Sequence, residues 1–72
     1  MTAADRARIQ RALNALLAQR VILLGRLEEI NENLRRFPVG SRARRVLLEA
    51  RVSIREALRL NAIAIRNLRS VL

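Results

Sequence analysis

Apolar residues recur at intervals of three and four along two stretches of the chain, with one short break between them. At about 100° per residue, the first stretch gathers Ile9, Ala12, Leu13, Leu16, Leu17, Leu23, Leu24, Leu27, Ile30 and Leu34 on one side. The second gathers Val46, Leu47, Ala50, Ile54, Ala57, Leu58, Leu60, Ala64, Ile65, Leu68, Val71 and Leu72. The break is Phe37-Pro38-Val39-Gly40-Ser41, which holds the only proline and one of the two glycines. Proline pushes its predecessor out of the helical region, glycine tolerates a positive φ, and Ser41 is a good N-cap. Thr2 and Asp5 form a capping-box variant at the start. The pattern predicts a helix over residues 3–36, a loop at 37–41 and a second helix over 42–71. Each helix would be on the order of 45–50 Å long. A short loop between long helices makes them antiparallel, so the fold class is an all-α helical hairpin in one domain, residues 1–72. Gly25 interrupts the first helix, at a cost of about 1 kcal/mol relative to alanine.

The stripes are wide, nearer half the circumference than a two-helix seam requires. A lone hairpin cannot bury them, and a chain of 72 residues buries little of its surface in any case. Dimerisation into a four-helix bundle is therefore expected, with Leu13, Leu16, Leu24, Leu27, Ile54, Leu58, Ile65 and Leu68 as the dimer core. One flank of the second helix is small (Ala50, Ser53, Ala57, Ala64), which lets a neighbouring helix come close. The opposite flank, with Leu47, Ile54, Leu58, Ile65, Leu68 and Leu72, suits a leucine interface.

Charge adds an orientation. Fifteen basic and six acidic residues give a formal net charge of +9, and every basic residue is arginine. Glu28, Glu29, Glu32, Glu49 and Glu56 lie toward the loop. Arg6, Arg8, Arg11, Arg59, Arg66 and Arg69 lie toward the termini, with Asp5 the only acid there. Packing two hairpins with loops at opposite ends brings unlike ends together, and several such pairs can choose an orientation even though each is weak.

Composition excludes much chemistry. With no Cys, His, Trp or Tyr, disulfides, thiolate or imidazole metal sites and Cys–His or Ser–His catalysis are ruled out. No metal, no cofactor and no enzymatic activity are expected. No signal-peptide pattern is present, and no apolar run approaches the roughly 18 residues that span a bilayer. The expectation is a cytoplasmic protein whose first partner is itself.

Several polar residues break the apolar pattern. Arg20 lies near the middle of the first stripe without a carboxylate at i±3 or i±4. Two readings stand: an anion site where two Arg20 side chains converge near a dimer axis, or a guanidinium that snorkels or bonds to carbonyl, Gln or Asn groups. Asn31 and Asn61 also lie on the stripes, where an interior asparagine sets register and oligomer state. Arg44, Arg51, Arg55, Arg59, Arg66 and Arg69 form a ridge along the second helix, with Leu48, Val52 and Ile63 beside it. It is either a solvated face or a phosphate-binding footprint for nucleic acid or another polyanion. Its neighbours are aliphatic, so any contact would be to backbone phosphates and not by base stacking.

The hairpin-dimer layout resembles that of the Rop family of small RNA-binding four-helix bundles, with a local likeness over Gln19–Ile30 (QRVILLGRLEEI). That resemblance implies an antiparallel hairpin dimer and, as the alternative function, nucleic-acid binding. The aromatic residue of the Rop RNA-binding face has no counterpart in the first helix, so no site residue is carried over. The LLAQR segment is similar to one in the AroQ chorismate mutases, but the chain has no lysine and no third helix. The regular patterning equally suits a de novo designed hairpin.

Overall fold

The computed structural model describes residues 1–72 and holds two helices and no strand: α1, Ala3–Leu34, and α2, Arg42–Ser70. They pack side by side as a hairpin of 55 × 14 × 12 Å. Helix α1 starts on a reciprocal cap. The Asp5 amide donates to Thr2 Oγ1 at 3.1 Å, and the Thr2 amide donates back to Asp5 Oδ2 at 3.3 Å. Helix α2 starts where the Arg44 amide donates to Ser41 Oγ at 3.1 Å. Each cap gives a partner to a first-turn amide that the helix itself leaves unbonded.

Helix α1 stops at Leu34, two residues short of the range its pattern suggested. The amides of Arg35 and Arg36 close on Glu32 and Asn33, three residues back, so the last turn tightens before Pro38. Gly40 carries the only positive φ, +87°. A side chain there would meet no atom but would strain the backbone, so Gly40→Ala is expected to lower stability by about 1–2 kcal/mol. Gly25 is the opposite case: its backbone is helical, and the space a methyl group would take is open. Gly25→Ala is expected to raise stability by about 1 kcal/mol. Urea unfolding of the two variants checks both signs; a stabilising Gly40→Ala would contradict the loop geometry.

The interhelix seam is a heptad. In α1 it runs Ile9, Leu13, Leu16, Arg20, Leu23, Leu27, Ile30, Leu34. In α2 it runs Arg44, Leu47, Arg51, Ile54, Leu58, Asn61, Ile65, Leu68. Every one of these residues is buried or half-buried. Steps of four and three average 3.5 residues, the period at which two helices keep one seam in contact. Seven of the eight residues expected to form a dimer core lie in this seam between the helices of one chain. The eighth, Leu24, stands 46% exposed. The cause is size: leucine and isoleucine bury more apolar area against α1 than the alanine flank could.

Candidate functional site

Side chains flanking the seam divide the hairpin into two broad faces. On one, Leu17 of α1 lies beside Ala62, Arg66 and Arg69 of α2, and Asn31 beside Arg44 and Arg51. On the other, Asn33 and Phe37 lie beside Ala43 and Val46. Gln19 is on this second side too, where its side-chain oxygen accepts from Asn61.

The second face carries a regularity beyond the small flank of α2. Starting at Ala43, it continues through Val46, Ala50, Ser53, Ala57, Leu60, Ala64, Asn67 and Val71, again in alternating steps of three and four. This is a complete second heptad row, one residue out of step with the seam that holds α1, and it contains no charge. Its larger members are open to solvent: Val46 and Leu60 are each 54% exposed. The alanines stand out in the sequence but the row does not, because hydrophobicity alone groups Val46 and Leu60 with the seam. Helix α1, at the same offset from its own seam, places Ala12, Ala15 and Ile22 on this side together with Arg26 and Glu29.

The basic face differs from the expected ridge. Arg44 turns inward, donating through Nη1 to the Leu34 carbonyl at 2.6 Å and to the Phe37 carbonyl at 3.4 Å. Arg51 also turns inward, donating to Asn31 Oδ1 at 3.4 Å. Both occupy seam positions of α2, so the six arginines do not form one continuous outer ridge. Arg44 does a specific job. The last turn of α1 has no basic residue of its own, and this guanidinium supplies the cation its carbonyl end favours. Arg44→Ala is expected to cost about 1–2 kcal/mol and to fray that turn. Faster amide exchange at Arg35 and Arg36 alone is the readout; uniform acceleration would point to global destabilisation instead.

Arg55, Arg59, Arg66 and Arg69 remain exposed. Arg59 is held by Glu56 in the only ion pair of the molecule, with Nε donating at 3.0 Å. Those hydrogen bonds hold the Glu56 carboxyl below its usual range. The pair is present above that lowered pKa and is lost as pH falls through it, a small effect at an exposed site.

Asn61 is buried (4% exposed), and both polar atoms of its side chain have partners. Its amide nitrogen donates to the Leu16 carbonyl at 2.9 Å and to Gln19 Oε1 at 3.3 Å, while its oxygen accepts from Arg20 at 3.5 Å. Arg20 also donates to the Leu58 carbonyl at 3.4 Å. The half-buried guanidinium thus bonds to carbonyl groups across the seam, the second of the two readings, while part of it lines a groove on the basic face. Asn31 is half-buried against Arg51. Both asparagines therefore tie α1 to α2 within one chain. No protein family, curated protein or solved structure matches this chain. No helix is long and apolar enough to cross a membrane, and no cluster of acidic side chains could hold a metal ion.

Proposed function

We propose that the chain is a non-enzymatic self-associating hairpin that pairs with a second copy of itself as an antiparallel four-helix bundle. The observation that carries this reading is the uncharged second heptad row of α2, whose larger members Val46, Leu60 and Val71 stand 54%, 54% and 48% exposed. Area supports it. The hairpin exposes 5505 Å², where a compact monomer of its mass would expose about 4,500 Å². The excess is comparable to the roughly 800 Å² each partner contributes to a stable interface. Only five of 72 residues are buried, and none is fully enclosed. With loops at opposite ends, Ala57 lies on the two-fold axis and Ala50 faces Ala64 of the second copy. The glutamates near one loop then approach the arginines near the other chain's termini.

Sedimentation equilibrium tests the reading. The expected mass is twice the 8.2 kDa of the chain at micromolar concentration. A folded monomer under those conditions would overturn it. Nucleic-acid binding, the alternative, draws on the exposed Arg55, Arg66 and Arg69, a shorter basic row than the sequence suggested. It predicts a high 260/280 absorbance ratio after purification that falls in strong salt.

A further inference from the structure

On the basic face, Arg20, Arg66 and Arg69 rim a groove of about 470 Å³ whose floor is Leu17, Ala62 and Ile65. The spacing explains the convergence. Arg66 and Arg69 stand one turn apart on α2, and Arg20 reaches over from α1, one turn beyond Leu17. No carboxylate lines the groove. None is near it in sequence either: α1 has no acid between Asp5 and Glu28, and α2 has none after Glu56, which Arg59 already holds. Neither Arg66 nor Arg69 donates a side-chain hydrogen bond, and Arg20 keeps only its two long ones. Three arginines therefore line one groove beside Leu17, Ala62 and Ile65, with no carboxylate to balance them.

We infer that this groove binds a phosphate monoester carried on a small apolar body. A monoester concentrates up to two negative charges and three acceptor oxygens at one point, which suits converging guanidiniums. A phosphodiester backbone spreads single charges along a line, and the groove offers no aromatic platform for its bases. The volume falls within the range of small-molecule sites, with a mostly apolar lining and a few convergent polar groups. The site is complete in one chain and lies on the face opposite the uncharged row, so it does not depend on self-association.

Titration with phenyl phosphate, followed by NMR of the arginine Nε–H signals, tests the inference; inorganic phosphate is titrated in parallel. Phenyl phosphate should saturate, shifting Arg20, Arg66 and Arg69 and the methyl signals of Leu17 and Ile65. The double variant Arg66→Gln/Arg69→Gln should weaken binding about tenfold or more. Arg6→Gln/Arg11→Gln removes the same charge elsewhere and should leave affinity within about twofold. Equal weakening by both pairs, or shifts spread evenly over all arginines, would overturn the site. Inorganic phosphate binding as tightly as phenyl phosphate would overturn the apolar half of the inference.

Discussion

Replacing Arg20 and Asn61 together with leucine should raise the thermal midpoint by about 10 °C or more at fixed protein concentration. The two residues occupy facing seam positions between Leu16 and Leu23 on α1 and between Leu58 and Ile65 on α2. The guanidinium there is half-buried, faces no carboxylate, and is held by bonds of 3.4 and 3.5 Å. Exchanging buried ion pairs for well-packed apolar residues gains about 1–4 kcal/mol, and a gain within that range is expected for this half-buried polar pair. At about 4–8 °C per kcal/mol for a domain of this size, the midpoint shift follows. The single variants should behave otherwise. Asn61→Leu takes an acceptor from Arg20 and a donor from Gln19; Arg20→Leu leaves the buried Asn61 oxygen without its donor. Each loses about 1–3 kcal/mol through the unmatched partner. The double variant should therefore exceed the sum of the singles by about 1 kcal/mol or more. Additive midpoints would show that the two side chains are not coupled. Stability should come at the expense of uniqueness: with the polar pair gone, amide NMR spectra should show extra resonances from alternative registers. A single sharp set would contradict the register role of Asn61.

The second large effect belongs to Ala57. It sits in the middle of the uncharged row and, in the proposed dimer, on the two-fold axis, so a glutamate there is introduced twice at one point. Each carboxylate would be desolvated without a partner, and the two would repel. A penalty of about 4 kcal/mol corresponds to a dissociation constant raised about a thousandfold. Ala57→Glu should therefore sediment as a monomer at concentrations where the parent is a dimer. Because α2 keeps its leucine seam against α1, much of the helical signal should remain. Arg55→Glu changes the charge on the opposite face and should leave the dimer intact. Dissociation by Arg55→Glu but not by Ala57→Glu would place the interface on the basic face.

The hairpin itself was legible in the sequence because its signals are local. Thr2, Asp5, Pro38, Gly40 and Ser41 each act within a few residues, and each does in the structure what its chemistry implies. Helix faces were legible only in part. An apolar stripe half a circumference wide contains two seams, and hydrophobicity alone does not say which one the hairpin consumes. Arg44 and Arg51 show why. A charged residue reads as solvent-facing, yet both lie in the seam because α1 offers them acceptors, the Leu34 carbonyl and Asn31. Those acceptors become neighbours only once the helices are paired. The groove around Arg20, Arg66 and Arg69 was hidden for the same reason, since its members lie on different helices.

The two rows of α2 differ by one residue, about 100° of rotation. Turning α2 about its own axis by that amount would hand α1 the alanine row and send the leucine row outward. Apolar matching favours the leucine side, but both rows have heptad spacing and either could mesh. Arg44, Arg51 and Asn61 all belong to the row that faces α1, and all of them find an acceptor or donor there. Rotated outward, they would lose those partners together. The polar residues that look like flaws in the seam thus act as an angular key, fixing which side of α2 is spent on its own chain and which is left for another.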